Sequence, residues 1–64
     1  MAKVNGEEKN YSGKSVTELL DICGYDKSRV AVELNGEILP KNQYDSRIIA
    51  DDDTIEIVSF VGGG

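Results

Sequence analysis

Apolar residues fall into three regular patterns along the chain. Val16, Leu19, Leu20 and Cys23 recur at i, i+3, i+4 and i+7, the spacing that places side chains on one face of a helix. Ser15 and Glu18 bracket the first turn as a capping box, in which hydroxyl and carboxylate each accept an otherwise unpaired backbone N–H. Gly24 follows as a left-handed stop, so a helix is predicted from Ser15 to Gly24. Val30, Val32 and Leu34 then alternate with Ala31 and Glu33, the period of a strand with one buried face. Leu39 continues after a turn, and Pro40 ends that stretch. From about Thr54, Ile55 and Ile57 lie on one face of a last strand, with Glu56, Val58 and Phe60 on the other. Asn-Gly pairs in "VNGE" and "LNGE" predict two tight hairpins, because both residues accept positive φ. The first hairpin has apolar weight only from Ala2, Val4 and Tyr11. Strand, strand, helix, strand, short return, strand is an α+β order. It reads as a β-grasp, the ubiquitin-like roll, with a mixed sheet of four to five strands packed on one main helix.

Composition narrows the function classes. The 64 residues are enough for a single domain, 1–64, and a small core. Seven basic residues, scattered along the chain, face twelve acidic ones for a net charge of −5. Without a basic stripe nucleic-acid binding is not expected, whereas attraction to a basic protein surface is. One cysteine allows no internal disulfide and forms no metal-ligand pattern, so no metal site is expected. No apolar run approaches a signal h-region or membrane span, so a soluble chain without membrane contact in the reducing cytoplasm is expected.

Catalysis by the chain itself is also not expected, because histidine is absent and a Ser-His-Asp triad is therefore ruled out. Gly13-Lys14-Ser15 lies between strand and helix, as in a phosphate-binding loop, but Glu8 stands where that motif needs its first glycine. Cys23, on the apolar stripe, is expected to pack in the core and not to act as a reactive thiol. Asp51, Asp52 and Asp53 lack the spacing of a calcium loop and read as a solvated turn before the last strand. What remains is the end, "SFVGGG". Gly62, Gly63 and Gly64 have no Cβ, so an extended run of them fits a narrow channel; 62–64 is expected to be a flexible functional tail. A frayed end is the plainer alternative.

Taken together, "SVTELL", "RVAVELNGEILP" and "DDDTIEIVSFVGGG" closely resemble the thiamine-biosynthesis sulfur carriers, the ThiS family of small ubiquitin-like proteins. The resemblance covers nearly the whole chain, although Ala2 stands where a larger apolar residue is common and Asp52 where a turn glycine is frequent. It implies that the terminal Gly-Gly carboxylate is adenylated by an E1-like activating enzyme that uses ATP and magnesium. It further implies that a sulfur donor system converts it to a thiocarboxylate, which is presented to thiazole synthase. On this basis Gly64 holds the sulfur, Gly62 and Gly63 thread the channel, and the chain binds no cofactor of its own. Other readings of the same features are a sulfur carrier for another pathway (molybdopterin, cysteine or a secondary metabolite), a ubiquitin-like modifier, or a passive interaction module.

The alternation also leaves apolar side chains that the core does not use. Val58 and Phe60 are predicted on the open sheet face, together with Ala31, Glu33 and Glu56. That face is expected to dock on the activating enzyme, with Phe60 as anchor. In the competing reading Phe60 folds back over the sheet edge and only stabilises the fold.

Overall fold

The computed structural model describes residues 1–60, and all statements below concern them. Five strands, β1 (Ala2–Val4), β2 (Glu7–Lys9), β3 (Val30–Leu34), β4 (Glu37–Ile38) and β5 (Thr54–Ser59), form one sheet in the order β2-β1-β5-β3-β4. β1 runs parallel to β5 and the other pairings are antiparallel. A single helix, α1 (Val16–Cys23), packs on one face, which is the β-grasp arrangement.

Both Asn-Gly pairs make the predicted hairpins. Asn5 and Gly6 have φ of 51° and 84°, Asn35 and Gly36 of 53° and 85°, the positive pair that matches the twist of the adjoining strands. Ala2 is fully buried and Val4 nearly so, so the weakly apolar first hairpin still has a core-facing side. Asp52 is not among the positive-φ residues, so this turn does not need the glycine frequent there.

The capping box forms as read: Glu18 N–H donates to Ser15 Oγ at 3.1 Å, and Ser15 N–H donates to Glu18 Oε1 at 2.9 Å. The helix ends in a Schellman turn. Tyr25 N–H reaches Leu20 O at 2.9 Å, Gly24 N–H reaches Asp21 O at 3.2 Å, and Gly24 has φ 80°. This ending overturns the expectation for Cys23, which is exposed. The Schellman turn folds the chain back so that Tyr25 packs against the core beside Leu20, and Tyr11 packs there too. With those rings supplying the apolar cover, Cys23 is left at the rim, its Sγ 3.9 Å from Tyr11 Oη.

The stretch between Pro40 and β5 is more than a short return. Tyr44 and Ile49 are buried among the largest core side chains, joined by Leu39. The same segment satisfies the helix N-terminus, since Val16 N–H donates to Arg47 O and Thr17 N–H to Tyr44 O, both at 3.1 Å. These carbonyls occupy the N–H groups a phosphate would need, which gives the rejection of Gly13-Lys14-Ser15 as a phosphate loop a structural basis.

Asp53 corrects the expectation of a wholly solvated acidic turn. Asp51 and Asp52 are exposed, but Asp53 is buried and accepts from Ala50 N–H at 2.8 Å, Asn35 Nδ2 at 2.9 Å and Arg47 Nη2 at 3.1 Å. Burial alone would raise its pKa. The hydrogen bonds and the guanidinium charge outweigh that penalty and hold the carboxyl below its ordinary value. Asp53 therefore anchors the start of β5, the strand from which the candidate site is built.

Candidate functional site at the end of the last strand

The site residues lie on the sheet face turned away from α1, and the strand register brings them together. β3 and β5 pair so that Ala31 stands opposite Val58, and Glu33 opposite Glu56. Side chains directly across an antiparallel pair share a face, while Val32 and Ile57, also paired, point into the core. Val58 and Phe60 are each 52% exposed. Beyond the end of β5, Phe60 N–H donates to Arg29 O at 2.8 Å, which holds the backbone of the last described residue against the start of β3. Phe60 is thus half exposed and not enclosed in the core.

Sequence reasoning missed Ile38. It pairs with Glu33 across β3–β4 and is 74% exposed, so Ile38, Glu33 and Glu56 form one row across three strands. The signal was available in "EILP": with Leu39 taken inward, the preceding position points outward.

The face is electrostatically unbalanced. Glu33 and Glu56 are like charges placed directly opposite each other, an arrangement that destabilises a sheet by a few tenths to about 1 kcal/mol. Among the described residues no cation lies within 4.0 Å of either carboxylate. The face thus presents an apolar zone (Ala31, Val58, Phe60) at the end where β5 leaves the sheet and an acidic zone flanked by Ile38. Gly62, Gly63 and Gly64, the expected threading and sulfur-bearing residues, lie outside the described residues.

Comparison with known proteins agrees with this architecture. The model of the ThiS family matches residues 2–64. The sulfur carrier protein ThiS of Bacillus subtilis is 38% identical over 66 residues, covering all of both chains. A thiazole synthase of Paramagnetospirillum magneticum is 48% identical over 62 residues, 95% of this chain; the match spans only 19% of that relative's length. Among solved structures, the thiamine biosynthesis protein (ThiS) from Geobacter metallireducens superimposes with a TM-score of 0.77 at 36% identity, covering 98% of this chain and 97% of the other.

Proposed function

Because the chain belongs to the ThiS family, we propose that it is a sulfur carrier of thiamine biosynthesis whose Gly64 carboxylate is the reacting group. A terminal carboxyl has a reference pKa of about 3.3–3.7, so at neutral pH the carboxylate is ionised and nucleophilic. One of its oxygens attacks the α-phosphorus of ATP on an E1-like activating enzyme that also supplies magnesium. The bond from that phosphorus to the bridging oxygen breaks and pyrophosphate leaves. Sulfur delivered by the donor system at the sulfide level, as HS−, then attacks the acyl carbon, the bond to AMP breaks and the S–H proton is lost, which yields the thiocarboxylate. Thiazole synthase takes the sulfur from there, a partnership supported by the thiazole synthase relative whose own chain contains a segment like this one. In this scheme the chain is a substrate and not an enzyme, and it brings no cofactor.

The observation that carries the reading is the apolar zone of exposed Val58 and Phe60 with half-buried Ala31, at the very end of the strand leading to the glycines. It docks the carrier so that Gly62 and Gly63 enter the partner's channel, and Glu33 and Glu56 meet basic groups there. No helix among the described residues is long and apolar enough to cross a membrane. In this scheme the carrier works in the cytoplasm beside these enzymes.

Deleting Gly64, or appending one residue after it, tests the scheme. After incubation with activating enzyme, ATP and sulfur donor, mass spectrometry should find thiocarboxylate on the parent chain and none on either variant, with unchanged circular dichroism. Normal sulfur loading of the extended chain would sink it.

A further inference from the structure

Three of the seven basic residues that are scattered in sequence come together in space. Two short 3-10 turns, Lys27–Arg29 leading into β3 and Lys41–Gln43 after β4, come together at the corner where β5 ends. Lys41 Nζ donates to Lys27 O at 2.9 Å, and Phe60 N–H is bonded to Arg29 O. Lys27, Arg29 and Lys41 thus sit together at the base of the tail. Their carboxylate neighbours are Asp26, 3.8 Å from Arg29 Nε, and Asp45, 3.9 Å from Lys27 Nζ. Asp26 is also engaged in its own turn, accepting from Ser28 N–H and Oγ. The Arg29 and Lys27 side chains remain 69% and 58% exposed. The other ten side-chain carboxylates share only Lys3, Lys9, Lys14, Arg47 and the N-terminal ammonium; Arg47 is committed to Asp53 and the ammonium lies 4.0 Å from Asp51. Three cations against two carboxylates thus leave this corner with a small positive excess, beside the last described residue of a chain whose net charge is −5.

We propose that Lys27, Arg29 and Lys41 form a docking corner for an acidic rim around the mouth of the activating enzyme's tail channel. This rests on the carrier reading above and adds a second contact of opposite sign to the acidic open face. Distance decides between a protein rim and the nucleotide itself. Residues 61–64 reach at most roughly 14 Å at 3.3–3.6 Å per residue, and a threaded tail uses nearly all of that length. When the Gly64 carboxylate is at the α-phosphorus the corner is consequently too far away to touch the phosphates, and it meets the surface around the channel mouth. Elsewhere such an acidic surface would repel the carrier. The sequence acidic zone, apolar anchor, cationic corner along the route to the tail permits only one orientation, which is how charge placement gives register and association rate.

The test compares two double variants with the same change in net charge, Arg29→Gln/Lys41→Gln at the corner and Lys9→Gln/Lys14→Gln elsewhere. Lys27→Glu serves as a second corner variant. Affinity for the cognate activating enzyme and the rate of pyrophosphate release are measured at low and high salt, with the thermal midpoint of each variant. The expected result is about a tenfold loss of affinity for the corner variants at low salt, shrinking at high salt, with the midpoint unchanged and the control close to the parent. Equal losses for corner and control would reduce the effect to net charge and overturn the proposal, as would corner variants that bind as tightly as the parent or more tightly. If the parent chain is not adenylated at all, the carrier reading falls and this inference with it; if the parent is adenylated and the corner variants match it, only the inference falls.

Discussion

Asn35 grips Asp53. Its Nδ2 donates to the buried carboxylate at 2.9 Å while its Oδ1 accepts from Thr54 N–H at 2.8 Å, so the turn between β3 and β4 fixes the residue pair at which β5 begins. Asn5 does the corresponding work from the first hairpin, accepting from Ile57 N–H at 2.8 Å. Each asparagine thus has two roles, a positive φ in its turn and a side chain that clamps the strand carrying Val58 and Phe60.

Replacing Asn35 by Gly separates those roles, because glycine keeps the left-handed backbone at no steric cost and removes only the clamp. Losing hydrogen bonds to Asp53 and to Thr54 N–H should lower stability by about 1–3 kcal/mol in urea unfolding. A variant as stable as the parent would mean that the turn conformation alone explains the asparagine.

The Asp53 network also sets a pH dependence. Its folded pKa lies below the unfolded value of about 3.9, so the unfolded chain binds the proton more readily. The stabilisation is fully present above that unfolded value and is lost as pH falls through the folded pKa. The thermal midpoint should therefore drop on acidification below about pH 4, and Asp53→Asn should flatten that part of the profile while lowering stability at pH 7. A profile identical for parent and Asp53→Asn would assign the acid sensitivity to other carboxylates.

Cys23 gives a chemical check on the helix ending. An exposed thiol at the rim should react with iodoacetamide in the native protein at a rate near that of the unfolded chain, and Cys23→Ser should change stability by no more than about 0.5 kcal/mol. Strong protection in the native state would return this residue to the core.

Much of this fold was legible in the sequence because local and tertiary preferences agree. The capping box, the Asn-Gly turns and the alternation in β3 and β5 are each local signals, and the structure uses all of them. The errors arose where a residue's place depends on a distant one. Cys23 fits the helical stripe but is exposed beside Tyr11, while Tyr11 and Tyr25, both from outside the helix, pack against the core. Asp53 looks like one of three equivalent carboxylates until Asn35, Arg47 and Ala50 converge on it. Tyr44 and Ile49 lie in a segment with no period of either helix or strand, and only its packing under the helix N-terminus reveals them as core. On the candidate site, alternation identified Ala31, Glu33, Glu56, Val58 and Phe60 as facing outward but missed Ile38, which becomes part of the face through its pairing with Glu33.

Phe60 is the residue on which the proposed docking face depends. Half of its surface is open to water and its backbone N–H, not its ring, makes the bond to Arg29 O, so truncating the ring leaves that link in place. If the ring is a partner anchor, Phe60→Ala should weaken binding to the activating enzyme by about 2 kcal/mol or more, roughly thirtyfold, because an anchor loses its whole buried contact in the complex. The isolated protein should hardly notice, with stability changed by less than about 0.5 kcal/mol, as for a surface substitution. Val58→Ser, one outward position earlier, should show the same separation to a smaller degree, whereas Ile57→Ala, facing the core from the position just before Val58, should cost stability by about 2–5 kcal/mol. A Phe60→Ala protein with parental affinity and a clearly lowered thermal midpoint would show that the ring serves the fold, and the docking face would then have to be sought elsewhere on the molecule.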